Sequence, residues 1–249
     1  MDQNHKAKYI YVGVENKMVL KSSISDIHKK SNLAPLFINA ASFHASRLQE
    51  LEEDIISEEC LDGSAELMKK YSDRQRAYFY PSILLSICGL EAYINGFYQE
   101  CVDFLGDPYK AQTTYSKINT VDILNDIVRH RIDAAFESEN LITKFEWINT
   151  KLNLGLKQSS KWEDIKLLLK IRNDLVHYKP LFRNTQESLD DYRDLIEFLK
   201  KRRLLLNPIA DYSSDPFPHG IVSFSIANWA VDSVNGFNSE FERVIGRAK

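Results

Sequence analysis

The stretch Ile171-Arg172-Asn173-Asp174-Leu175-Val176-His177 gathers an arginine, a carboxamide and an imidazole on one short segment. On a helical wheel of about 100° per residue, Trp162, Ile165, Leu168, Leu169, Leu175 and Val176 share one arc, and Arg172 falls at its centre. A guanidinium in an apolar layer is costly unless it is paired or hydrogen-bonded. The fold must therefore bring it a carboxylate, a phosphate or a polar cleft. Asn173 and His177, spaced i and i+4, sit together on the edge of that stripe. One helix thus offers a fixed cation, an amide and an imidazole to a shared groove.

The elements that would hold these groups are mainly helical. Ser160-Lys161-Trp162-Glu163 fits a capping box and predicts the start of the motif helix, while Pro180 prevents a long continuation. Pro81 predicts the first turn of a helix running to Leu105, where Gly106-Asp107-Pro108 stops it. In that helix Ile83, Ile87, Leu90, Ile94, Phe97 and Cys101 define the apolar arc. Glu91 and Asn95 lie on its flank, one turn apart, and Glu91 is the simplest partner for a facing arginine. The expectation is that Glu91 and Asn95 approach Arg172 and His177.

Elsewhere, Ala41, His44, Leu48, Leu51 and Ile55 predict a helical stripe, and further helices are expected near 120–135 and 140–153. Another follows through Leu189, Tyr192, Ile196, Leu199 and Leu206. After a turn-rich stretch from Asn207 to Gly220 comes a last helix with Ile226, Trp229, Phe237, Phe241 and Ile245. Residues 9–20 read as a short β-hairpin, rich in strand formers. The fold class is mainly α, in three parts: an N-terminal hairpin extension (1–32), a helical bundle (33–206), and a loop with a C-terminal helix packing on the bundle (207–249).

Composition sets the outer limits. A chain of 249 residues, 44% hydrophobic and 27% charged, has ordinary globular composition. A net charge of −3 argues against a broadly basic coat for nucleic acid, though not against a local RNA site. Cys60, Cys88 and Cys101 have neither disulfide nor metal-ligand spacing, and the histidines are dispersed, so no metal or other cofactor is expected. With nine glycines there is no phosphate-cradling loop, so phosphate recognition would fall to side chains. No run of about 18 apolar residues occurs and the N-terminus lacks the apolar segment of a secretory signal, which predicts a cytoplasmic protein with no membrane partner.

Arg172-Asn173 followed by His177, with Trp162 upstream, Tyr178-Lys179-Pro180 downstream and Leu90-Glu91-Ala92-Tyr93-Ile94-Asn95 on a preceding helix, resembles the HEPN superfamily (higher eukaryotes and prokaryotes nucleotide-binding) over roughly residues 33 to 206. The resemblance implies a four- or five-helix bundle that dimerises, placing two copies of the motif in one cleft. In active members it implies metal-independent RNA cleavage. His177 would then act as general base or acid on the ribose 2′-hydroxyl or the leaving 5′-oxygen. Arg172 would hold the scissile phosphate, Asn173 would orient one of these groups, and Glu91 would fix Arg172.

A toxin or defence effector with an antitoxin or other protein partner is the implied setting. The competing expectation is a catalytically silent HEPN-like module that binds a nucleotide, RNA or protein. One HEPN branch of toxins carries a tyrosine two residues after the histidine. This chain has Tyr178 directly after His177, so AMP transfer onto a tyrosine at that place is not expected. Arg129, Arg131 and Lys179 are the further RNA-contact candidates. Lys200-Lys201-Arg202-Arg203, at a helix end, is expected to complement the helix dipole and stay solvated rather than clamp phosphates.

Overall fold

A computed structural model describes residues 33–57, 65–104, 138–177, 186–210 and 218–246. These hold six α-helices and no strand. We label them α1 (Leu33–Ser57), α2 (Ala65–Phe104), α3 (Leu141–Leu152), α4 (Ser160–Val176), α5 (Gln186–Lys201) and α6 (Phe224–Ile245). The described residues from Ala34 onward belong to one compact unit. The expected hairpin and the helix near 120–135 lie outside the described residues.

The largest departure from expectation is at Pro81, which lies inside α2 rather than at its start. Proline deprives the helix of one N–H and crowds the carbonyl four residues back. What holds the turn together is the buried stripe running through it, from Gln75 and Phe79 to Ile83, Ile87, Leu90, Ile94, Phe97 and Cys101. At 40 residues the helix is about 60 Å long and forms the axis of the bundle. Its Lys69–Cys101 stretch is long and apolar enough to cross a membrane by length and composition alone, but half of the most apolar window is buried inside the bundle.

α6 packs along α2, α4 packs against both, and α3 lies on α2. The centre is aromatic. Phe145 of α3 meets Phe237 of α6 edge to face at 4.8 Å between centroids, and Phe97 of α2 meets Phe241 at 5.1 Å. Such edge-to-face pairs add about 0.5–1.5 kcal/mol each beyond burial. α6 has nine buried residues and is thus an integral part of the core.

α1 crosses α2 closely at Gly89, where an added Cβ would stand 2.7 Å from Ile38 Cγ1 and 3.4 Å from the Ala34 carbonyl oxygen. Nearby, Ser82 Oγ donates to the Ala41 carbonyl at 3.1 Å. The predicted stripe of α1 is on its inner face, with Ala41, Leu48, Leu51 and Ile55 buried. Glu52, on the same helix, accepts a hydrogen bond from the Phe224 backbone N–H at 2.8 Å and so caps α6 across the structure.

Candidate functional site

α4 begins one residue earlier than the capping-box reading placed it. Ser159 is the N-cap, accepting from the Lys161 N–H at 3.0 Å and donating to Glu240 of α6 at 2.5 Å. Glu163 pairs instead with Lys166, at 2.7 Å. A serine that both caps its helix and grips the neighbouring one fixes where α4 enters the bundle, and hence how far its other end projects.

The buried face of α4 is Trp162, Asp164, Ile165, Leu167, Leu168 and Ile171, rotated from the predicted arc towards Leu167 and Ile171. Beyond Ile171 the helix leaves the core. Arg172 and Leu175 are half-buried, Asn173 and His177 are exposed, and Val176 is 52% exposed. Arg172 therefore does not lie at the centre of an apolar layer, and the cost that demanded a buried carboxylate does not arise. Its Nη1 donates to the Asn173 side-chain oxygen at 2.8 Å, and among the described residues it makes no ion pair.

Glu91 and Asn95 have a different partner from the one expected. Lys144, on α3, buries its side chain completely and brings its Nζ to 3.0 Å from Asn95 Oδ1 and 3.4 Å from Glu91 Oε1. The expected Glu91–Arg172 pair is not formed, because a fully buried ammonium has far more to gain from the carboxylate than a half-exposed guanidinium has. The sequence did hold a signal for Lys144. It sits in the stripe Leu141, Phe145, Ile148, where a cation among apolar neighbours raises the same question as Arg172.

Arg172 nonetheless lies at the same surface. Cys88, one turn before Glu91 on α2, is exposed, yet partial burial pushes its thiol up; the Glu91 charge adds to the rise and Arg172 opposes it. α2 and α4 pack against each other, and the charges of Glu91 and Arg172 both reach the Cys88 thiol.

His177 closes α4 as its C-cap, with its backbone N–H donating to the Asn173 carbonyl at 2.9 Å. Its ring has no hydrogen-bond partner among the described residues. Five positions apart on a helix, Arg172 and His177 point about 140° from one another. One copy of α4 therefore does not aim both at a single small ligand. Arg129, Arg131 and Lys179 lie outside the described residues.

Of the basic run 200–203, Arg202 is engaged. Its Nε and Nη2 both reach Asp164 Oδ1 at 2.5 Å, and its guanidinium lies 3.9 Å from the Phe198 ring centroid. It locks the end of α5 to α4. Among the described residues no cluster of histidine, cysteine or carboxylate side chains is arranged to hold a metal ion.

No protein-family model, curated protein or solved structure matches this chain.

Proposed function

We propose that this chain is a HEPN-like, metal-independent endoribonuclease of a cytoplasmic toxin or defence system, acting as a homodimer. The observation that carries the reading is the emergence of α4 from the core just at its motif. Arg172 is half-exposed, oriented by Asn173 and free of any carboxylate pair among the described residues, which leaves its fork available to a phosphate. His177, the C-cap of the same helix, presents an exposed imidazole, the side chain best suited to general acid–base work. The divergence of the two side chains on one helix makes a second copy part of the reading. The phosphate held by Arg172 of one protomer would meet the imidazole of the other. No cofactor is needed. Cleavage would proceed by attack of the 2′-oxygen on the adjacent phosphorus, with loss of the 5′-oxygen to leave a 2′,3′-cyclic phosphate.

A second reading, a catalytically silent module that binds RNA, a nucleotide or a protein partner, is favoured by one observation. The His177 ring has no partner among the described residues to fix its tautomer, as a general base ordinarily has.

The two readings separate in one experiment. Purified protein is incubated with mixed RNA in chelator, and products are examined for 2′,3′-cyclic ends. The nuclease cuts, and His177→Ala and Arg172→Ala each lower the rate by about 100-fold or more while remaining folded. Because Arg172 is bonded to a neighbour on its own helix and not to a buried charge, Arg172→Ala should cost less than about 1 kcal/mol of stability. RNA left intact by a dimeric, folded protein refutes the nuclease reading; RNA retention without turnover supports the silent module.

A further inference from the structure

α1 carries two apolar stripes. The first, Ala34, Ala41, Ala45, Leu48, Leu51 and Ile55, is buried against the bundle. Turned about 110° from it around the helix are Leu33, Leu36, Ala40 and Phe43, spaced 3, 4 and 3 residues apart like the seam of a coiled coil. Leu33, Leu36 and Phe43 are 47%, 62% and 56% exposed, three of the five large hydrophobic side chains exposed among the described residues. From Leu33 to Ser46 the helix holds no Asp, Glu, Lys or Arg, in a chain where these make up 27% of residues. A solvated face has no reason to exclude charge, whereas the centre of an interface does.

The exposed stripe is complementary to itself. Its one small residue, Ala40, lies between Leu36 and Phe43, so a second α1 laid antiparallel with Ala40 against Ala40 sets each Leu36 beside the partner's Phe43. Their offsets from Ala40 are about 6 and 4.5 Å along the axis, so the two side chains meet. Charge selects the same orientation. The Arg47 guanidinium carbon lies 5.4 Å from the centroid of the Phe43 ring and the side chain pairs with Glu50 at 2.5 Å, closing the apolar run with a polar rim. A parallel pair would set Arg47 against Arg47 and Glu50 against Glu50; the antiparallel pair keeps the two Arg47 positions about 21 Å apart.

We infer that the Leu36–Ala40–Phe43 face of α1 is a homodimer surface, on which a second copy of this chain docks antiparallel about Ala40. It gives a contact face to the second copy that the endoribonuclease reading calls for and rests on that reading to this extent; the association itself is measured without RNA. A contact of three to four helical turns falls short of the about 800 Å² per partner of a standard interface, so the dimer should dissociate in the micromolar range.

Sedimentation velocity of the full chain from about 5 to 200 µM, the range suited to so small an interface, should show monomer passing into dimer. Leu36→Asp and Phe43→Asp, both at exposed positions, should each weaken association by about 30-fold or more, since the symmetry brings two carboxylates into the apolar centre. A wild-type chain still monomeric at about 200 µM overturns the inference. So does a dimer that neither substitution weakens, which leaves the endoribonuclease reading with its copies joined elsewhere. A dimer that both substitutions dissociate, but that leaves RNA intact, sinks the endoribonuclease reading and supports this face.

Oxidative cross-linking, with Cys60 and Cys88 replaced by serine, reads the register. Ala40→Cys should link to its own copy, the two Cα atoms lying within the disulfide reach of about 7 Å. Leu36→Cys, about 12 Å from its own image along the axis, should not. Linking at both positions, or at neither, overturns the antiparallel pairing.

Discussion

Removing Arg202 should destabilise this protein far more than removing its partner Asp164. The two share one ion pair, but their exposures differ, with the side chain of Asp164 11% exposed and that of Arg202 26%. Arg202→Ala strands a carboxylate inside the bundle, which costs about 3–5 kcal/mol, and it also removes the guanidinium from the Phe198 face, worth about 0.5–1 kcal/mol. Asp164→Ala leaves a guanidinium that retains Phe198 and can turn to water; its cost should be about 1–2 kcal/mol, eased by a few tenths through the better helix propensity of alanine. The double variant, with no charge left unpaired, should be more stable than Arg202→Ala alone. Urea denaturation at neutral pH, followed by far-ultraviolet circular dichroism, measures all three. Equal losses in the two single variants, or a double variant less stable than Arg202→Ala, would refute the reasoning, because both outcomes deny that an isolated buried charge sets the cost.

Glu52 gives a pH signature. Burial lifts its carboxyl from 4.5 to about 7, against the opposing pull of the Phe224 N–H. The folded state therefore holds this proton more tightly than the unfolded one, and stability should fall as pH rises from about 4.5 to about 7 and then level off. After allowance for the solvent that reaches this half-buried group, the loss should be about 1–2 kcal/mol, and Glu52→Gln should flatten it in denaturation curves taken from pH 5 to 8. Two glycines of α2 should respond oppositely to alanine. Gly96→Ala meets nothing within 4 Å and should stabilise by about 0.5–1 kcal/mol, whereas Gly89→Ala drives a methyl group into Ile38 and should destabilise by about 1 kcal/mol or more. Thermal melts of the pair suffice. Expression of the wild-type chain should arrest growth and His177→Ala should relieve the arrest; normal growth in both cases counts against a toxin.

Much of the helical layout could be read from periodicity, because apolar arcs such as Ala41, Leu48, Leu51, Ile55 and Phe237, Phe241, Ile245 encode the face that is buried whatever it packs against. Boundaries were harder. Pro81 and Ser160 are sound local signals that tertiary packing overrode: the first sits in a helix whose buried stripe, on another face, is long enough to carry the helix past it, and the second gave way to Ser159, which gains a bond to Glu240 as well as a cap.

Pairings between helices were hardest of all. A wheel shows that Glu91 faces a neighbour but not which one, and that its partner is the fully buried Lys144 depended on depth below the surface, a quantity no single helix contains. The wheel also centred the buried arc on Arg172, because Val176 and Leu175 were counted as core; the helix had already left the bundle there.

Asn207 sits where α2 meets the connection between α5 and α6. Its amide exchanges two hydrogen bonds with Gln75, at 3.2 and 3.3 Å; its Nδ2 also donates to the His219 carbonyl at 3.0 Å, and its Oδ1 accepts from the Ile209 N–H at 3.1 Å. Both hydrogens and the oxygen of the Asn207 amide thus have an assigned direction. Aspartate, which has the same outline, would turn a donor into a second acceptor facing two carbonyl oxygens, so the replacement that fits best in shape should lower the melting temperature more than alanine, which merely leaves a gap. Fidelity at that junction is written in the polarity of one nitrogen atom.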